Sequence, residues 1–418
     1  MGKKIIILYF FAFVACLGAT ARAGPSEIPP VASSPEAEPE VPLSKKYRLS
    51  VFPIPVITSD PNEGSSFGAQ ANFFFRDSQN NVKMVAAPRI LYNTLIGVQG
   101  GVTGIYYPSY DEKLVAGFGL AQRVYRSANA YYENFHYWHD RLYLKGYFSF
   151  LQDPFGRFWG EGNNTPKSAQ TSYVGRNVAV EAEVGYYFLK HLRLSLRENF
   201  LYTKLKEGIV PGVANTINVF KPSDGVSDSV NWAPGLALVY DTRPRANLST
   251  RGTLVDASLF FSLQALGSDN NFFGLQLDAR HLLNFHDDRF VTVFRGVIRK
   301  VYGENLPFYQ LSSLGGPNEL RGYPGNRFID KGKILLSLEQ RNRIVNFKLF
   351  KTDLSFSLDP FFEVGEVFSR LDNFQFDRLR PTGGLGFRVL VLPSTLIRAD
   401  VGFGAEGPNV FVKFDYPF

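Results

Sequence analysis

The sequence predicts an all-β fold, a transmembrane antiparallel β-barrel of sixteen strands with a long sixth loop folded inward. Alternation carries most of that expectation. Val255, Ala257, Leu259, Phe261 and Leu263 oppose Asp256, Ser258, Ser262 and Gln264, the period of an extended strand. The pattern recurs with Leu336 and Leu338 against Ser337, Glu339, Arg341 and Arg343, and with Phe356, Leu358, Phe362 and Val364 against Ser357, Asp359 and Glu363. It returns with Ile397, Ala399, Val401 and Phe403 against Arg398 and Asp400, and with Val412, Phe414, Tyr416 and Phe418 against Lys413 and Asp415. Such strands run to roughly nine to fourteen residues, longer than those of a soluble sandwich, and short turns alternate with longer loops. No segment shows a helical period. A sheet in a bilayer must close on itself, because each backbone donor and acceptor there needs a partner.

The chain opens with Lys3 and Lys4, an apolar run from Ile5 to Leu17, and Ala21, Arg22 and Ala23. That order is a secretory signal peptide, with cleavage expected after Ala23, and the run is too short for a membrane helix, which takes about 20 residues. Residues 1–23 are therefore read as leader. Residues 24–44 hold six prolines and four glutamates with almost no large apolar side chain, and are read as an extended linker. Residues 45–418 are read as the barrel. Cys16 is the single cysteine, so the mature chain has no disulfide, thiol catalysis or cysteine metal site. The pI of 9.2 and net charge of +7 come from dispersed Lys and Arg, which gives no nucleic-acid patch. Aromatic content of 15% and a mean hydropathy of −0.09 fit apolar residues spread thinly over strands that face lipid on one side.

Counting back from the C-terminus, strands fall near 410–418, 395–404, 382–392, 353–366, 333–344, 289–302, 272–285, 252–264 and 233–242. They continue near 191–204, 176–189, 141–151, 113–126, 95–107, 82–93 and 66–76. Tyr47 to Thr58 is left as a tether or an extra strand.

Between two of the most regular strands lies a Gly-rich segment, Gly303 to Gly332, with Leu314, Gly315, Gly316, Pro317, Asn318, Glu319, Leu320, Arg321, Gly322 and Tyr323 at its centre. A loop of that length in a compact chain is functional or disordered. Leu314, Leu320, Tyr323 and Phe328 are candidates to anchor it. A barrel of this size leaves a watery lumen unless something fills it. Glu339 and Glu363 both face that lumen in the alternation, and either is able to accept the Arg321 guanidinium.

Further residues bear a family resemblance. Tyr240, Asp241, Thr242 and Arg243, followed by Thr250, Arg251 and Gly252, resemble a strand-turn-strand signature of the bacterial surface antigen barrel, the BamA/TamA-type outer-membrane superfamily. Gly315 and Gly316 with Leu320, Arg321, Gly322 and Tyr323 resemble that family's sixth-loop motif. Glu339 and Arg341 match its acidic-x-Arg strand. Phe361, Glu363 and Gly365 match its Phe-x-Asp-x-Gly strand, with Glu in place of Asp. Gly384, Gly386, Arg388 and terminal Phe418 complete the set, which is most specific over residues 233–418. Phe418, with Phe414 and Tyr416, also resembles the C-terminal signal by which such barrels are inserted.

The resemblance implies a bacterial outer-membrane barrel in which Arg321 reaches the lumen-facing acid, here Glu363, and locks the loop. The sequence shows no Gly-x-Ser-x-Gly elbow and no ordered Ser, His, Asp set, so neither a catalytic nucleophile nor a cofactor is expected. Family members that insert or secrete proteins carry periplasmic POTRA repeats before the barrel, and the linker has no room for one. The expectation is a POTRA-less member that helps insert or export a client protein, with a separate periplasmic polypeptide as a further partner. A passive pore or structural barrel with a loop-restricted lumen is the alternative. Gly402, Gly404 and Gly407 match a nucleotide-binding spacing but precede a strand rather than a helix. His136 and His139, among Tyr131, Tyr132, Phe135, Tyr137 and Trp138, fit an interfacial aromatic belt better than a metal site.

Overall fold

The computed structural model describes residues 47–244, 249–285, 289–349, 352–391 and 395–413. The leader, the linker and Phe418 lie outside the described residues. One antiparallel sheet closes on itself. It contains twenty segments, of which Ala214–Asn215 and Ser229–Trp232 are short additions beside longer strands, leaving eighteen in the wall. In chain order these are β1 (Arg48–Asp60), β2 (Gly64–Arg76), β3 (Val82–Asn93), β4 (Gly97–Tyr106), β5 (Glu112–Ala121) and β6 (Arg126–His136). Then come β7 (Leu142–Phe158), β8 (Thr171–Leu189), β9 (Leu192–Glu207), β10 (Gly235–Asp241), β11 (Gly252–Ser262) and β12 (Phe272–Phe285). The last six are β13 (Phe290–Gly303), β14 (Gly332–Leu349), β15 (Thr352–Phe368), β16 (Arg380–Val391), β17 (Thr395–Gly404) and β18 (Gly407–Lys413). Each pairs with the next, and Ser59 of β1 opposite Val412 of β18 closes the ring.

The wall thus has eighteen strands where the alternation predicts sixteen. The two additions are β1 and β6, and each hides its period for a physical reason. In β1, Phe52, Ile54 and Val56 are buried while Leu49, Val51 and Ile57 are exposed, so both faces are apolar and no alternation is visible. In β6 the aromatic residues fall on both faces: Tyr131 donates to inward Glu133 (2.5 Å), and Tyr132 reaches Glu112 on β5 (3.0 Å). The long glycine-rich loop joins β13 to β14 and, with two more strands before it, is the seventh connection at its end of the barrel rather than the sixth.

Elsewhere the predicted faces fall where the alternation puts them. Leu336, Leu338, Phe362 and Phe403 are exposed on the outer surface, while Ser337, Glu339, Glu363, Arg398 and Asp400 are buried within. Long connections (159–170, 208–228, 304–331 and 369–379) gather at one end, the extracellular end in outer-membrane barrels. There Phe158 stacks on Phe308 with ring centroids 4.4 Å apart, and Leu306, Leu311, Val301 and Ile329 complete an apolar cap. At the start of the β7–β8 connection Phe158 and Trp159 are buried, and Phe158 belongs to this cap.

Charge on the outer wall tests the lipid-facing assignment. Leu336→Arg is expected to destabilise the barrel by about 2–4 kcal/mol in denaturant unfolding from lipid vesicles. A change at the neighbouring inward position, Ser337→Thr, brings no charge into lipid and is expected to have a much smaller effect in the same assay.

Candidate functional site

The segment between β13 and β14 turns into the lumen. Ser312–Leu314 pairs with Phe328–Asp330 in a small hairpin, and residues 315–327 form its tip. Gly315 and Gly316 have φ of 106° and 117°, values that favour glycine, and a Cβ on Gly315 would stand 2.2 Å from Pro324 O. The Gly316 N–H donates to Tyr323 O (3.0 Å) and the Asn326 N–H to Gly315 O (3.3 Å). Leu314, Leu320, Tyr323 and Phe328 pack against wall residues Val297, Leu335 and Val367. All four proposed anchors are therefore buried on the inner wall.

Arg321 sits at the tip with no solvent exposure. Its Nε donates to Glu363 Oε1 (3.0 Å), its Nη1 to Glu339 Oε2 (2.7 Å) and Asp400 Oδ1 (3.4 Å), and its backbone N–H to Glu363 Oε2 (2.7 Å). The guanidinium also lies 3.5 Å from the Phe361 ring centroid. Burial disfavours its charge, but Glu363, Glu339 and Asp400 outweigh that and raise its pKa. The Phe-x-Glu-x-Gly strand acquires a local explanation. Phe361, Glu363 and Gly365 alternate inward on β15: the first lies under the cation and the second binds it. Gly365 leaves room for Leu314, whose Cδ1 would be 3.0 Å from an added Cβ. Gly322 has the same logic, since a Cβ there would meet Gly404 N at 2.7 Å.

Around Arg321 the wall is charge-balanced. Four guanidiniums (Arg321, Arg341, Arg388 and Arg398) face four carboxylates (Glu339, Glu363, Asp359 and Asp400). Arg341 Nε is 2.9 Å from Glu339 Oε1, Arg388 Nη2 is 2.8 Å from Asp400 Oδ1, and Arg398 Nη1 is 2.9 Å from Asp400 Oδ2. Arg398 also donates to Pro317 O (2.7 Å) and Asn318 Oδ1 (2.6 Å), binding the loop from β17.

The structure thus brings Arg321, Gly322, Tyr323, Gly315 and Gly316 together with Glu363, Glu339, Phe361, Gly365, Arg341 and Arg388. It does not bring Asp241, Arg243 and Gly252 there. They form the turn between β10 and β11 at the opposite end, where Arg243 Nη2 is 2.9 Å from Asp241 Oδ2 and a Cβ on Gly252 would meet Thr242 O at 2.9 Å. Their motif shapes a turn.

Sequence reasoning missed a second anchor. Arg327 binds Glu406 through Nε (2.9 Å) and Nη2 (2.6 Å), and Thr165 O through Nη2 (2.6 Å). Gly162 N donates to Ile329 O (2.7 Å) beside it. A second Arg in a loop already holding an Arg-Gly motif was the available signal, but its partners come from turns remote in sequence. Gly402 and Gly404 have a similar explanation: an added Cβ would stand 2.3 Å from Arg321 O and 2.8 Å from Gly322 O, respectively. What lumen remains includes a polar cavity of about 550 Å3 lined by Asp60, Glu63, Asp153, Arg157, Arg280 and Arg295, among others.

A closed barrel with an apolar exterior, a charged interior and a loop anchored inside it defines an integral outer-membrane-type β-barrel. The Omp85 superfamily domain matches residues 110–409, and the chain belongs to that superfamily. Among solved structures, BamA from Haemophilus ducreyi lacking POTRA domains 1–3 shares the fold at 14% identity and a TM-score of 0.52, over 90% of this chain and 75% of that one. CdiB from Escherichia coli aligns at 11% identity and a TM-score of 0.48, over 90% of this chain and 63% of its own, so this chain spans less than two thirds of it. Curated proteins give no sequence match.

Arg321→Ala is expected to destabilise the barrel by about 3–5 kcal/mol in denaturant unfolding, because it leaves the buried Glu363 carboxylate without its cationic partner and removes one of the partners of Glu339 and Asp400. Arg327→Ala is expected to leave the inner anchor in place. Limited proteolysis is then expected to cut faster within 159–170 and 324–331 while global stability changes by about 1–2 kcal/mol.

Proposed function

We propose that this barrel aids the insertion or export of a client protein at the bacterial outer membrane, acting non-enzymatically and reaching the membrane through the leader at residues 1–23. Membership of the Omp85 superfamily supports the class of activity. The observation that carries the reading is the loop itself. Arg321 and its buried acids hold the hairpin inside the lumen against the inner wall, which narrows the axial path and opposes passage of a folded or bulky solute. A route for a client is then lateral, through the junction of β1 and β18. Arg321, paired with Glu363 and Glu339, acts as the lock that keeps the loop in place during that opening. Surrounding lipid is one partner and the client another. A separate periplasmic polypeptide is proposed to deliver the client.

The second reading, a loop-restricted pore, is favoured by the polar cavity beside the loop. Quantitative proteomics of outer-membrane fractions after depletion separates the two. The assembly reading expects selective loss of other barrels or surface proteins, and those lost are the clients. An unchanged proteome, with a stable single-channel conductance that rises when residues 315–327 are deleted, is the outcome expected of a pore.

A further inference from the structure

The outer face of β12 and β13 carries a gap in the apolar band. Ala279 of β12 lies opposite Gly296 of β13, which lies opposite Leu336 of β14, and Leu336 lies opposite Val364 of β15. Two of these four outward positions have little or no side chain, so a groove of about 500 Å3 opens between the larger residues around them. Phe294, Leu338 and Phe362, all exposed on the wall, line the neighbouring row. Packing does not require glycine at 296. A Cβ there would meet only Leu336 Cδ2, at 3.6 Å, whereas at Gly402 it would stand 2.3 Å from Arg321 O. Glycine inside a strand weakens it and often marks a place that a ligand approaches closely.

The groove ends in polar groups. Thr253 of β11 and His281 of β12 are paired neighbours on the outer face, with Thr253 Oγ1 2.8 Å from His281 Nδ1. One row further on, Thr292 Oγ1 donates to Gln340 Oε1 (2.5 Å) and Gln340 Nε2 to Asn342 Oδ1 (3.2 Å). His281 is exposed; its bond to Thr253 occupies Nδ1 and leaves Nε2 with no protein partner among the described residues. Arg251 and Arg289, both exposed, stand at the turns beyond this strip. Those turns are at the end opposite the long connections, so the strip lies at the headgroup level of the periplasmic leaflet. A polar group on a lipid-facing surface is costly unless it finds a hydrogen-bond partner.

We propose that this groove is a binding site for one diacyl phospholipid of the periplasmic leaflet. An acyl chain lies in the gap over Ala279 and Gly296, between Phe294 and Leu336. A glycerol-ester or phosphate oxygen accepts from His281 Nε2 when the Thr253 hydroxyl donates to Nδ1. The order of polarity along the wall selects this occupant. Plain hydrocarbon would leave His281 unmet, and a lipid of the outer leaflet would present its head at the end with the long connections. The site gives a fixed address to the surrounding lipid named above, and it stands under the assembly reading and under the pore reading alike.

Native mass spectrometry of the full chain in detergent, titrated with dimyristoyl phosphatidylglycerol or with dimyristoylglycerol, reads the site directly. The unaltered chain is expected to retain one phospholipid more tightly than any that follow. Gly296→Leu fills the gap and is expected to weaken that first binding about tenfold, with denaturant unfolding showing that the barrel still forms. Ala279→Leu fills the same gap from β12 and covers the case in which Gly296→Leu does not fold. His281→Phe keeps an apolar ring but removes the donor, and is expected to weaken phosphatidylglycerol about fivefold while leaving dimyristoylglycerol unchanged. Unchanged first binding in the filled variants, or an equal loss of both lipids in His281→Phe, overturns the proposal. The outer-membrane proteome after depletion decides the assembly reading independently, so either fails without the other.

Discussion

One buried cation organises this barrel. Arg321 has no solvent exposure and lies within reach of three carboxylates from β14, β15 and β17. A charge so placed is tolerable only when paired and hydrogen-bonded, so the loop that carries it and the strands that receive it are bound to one arrangement. The neighbouring arginines follow from the same constraint. Three acids around one guanidinium would leave excess negative charge, and Arg341, Arg388 and Arg398 restore the balance while Asp359 takes up part of theirs.

Close approach is the second half of that constraint. A guanidinium reaches Glu363 only if the loop backbone lies almost on the wall, which explains why glycine stands on both sides of the contact. Gly322 faces Gly404 and Thr382, and Gly402 faces the Arg321 carbonyl. Each side supplies the absent side chain that lets the other come near. The apolar contacts of Leu314, Leu320 and Tyr323 then fill the remaining space, so the plug is held by packing as well as by charge.

The loop also links parts of the wall that are distant in sequence. Arg327 joins it to Glu406 and to the β7–β8 connection, and Asn62 and Asn409 bind its tip from opposite sides of the closing junction. The hydrogen bonds of the loop tip therefore reach both sides of the closing junction. The polar cavity bounded by the first turn, β7 and the loop lies beside the Asn62 to Gly325 contact.

The sequence alone was sufficient for the barrel class, for the face of most strands in the C-terminal half, and for the pairing of an Arg321 loop with lumen acids at 339 and 363. Period-two alternation and motif order are local, so they survive without coordinates. It left β1 open between a tether and a strand and missed β6, where apolar or aromatic residues on both faces erase the period that reveals a strand. It also missed Asp400 and Arg398 as loop ligands, and the Arg327 to Glu406 anchor, although alternation had already turned Arg398 and Asp400 inward. Which inward residue meets which loop atom depends on barrel closure and on the depth of the loop, and those are fixed by contacts between segments far apart in the chain. The sequence determined the chemistry lining the wall; only the tertiary structure decided which charges are neighbours, because closing the sheet brings its first and last strands to the same loop tip.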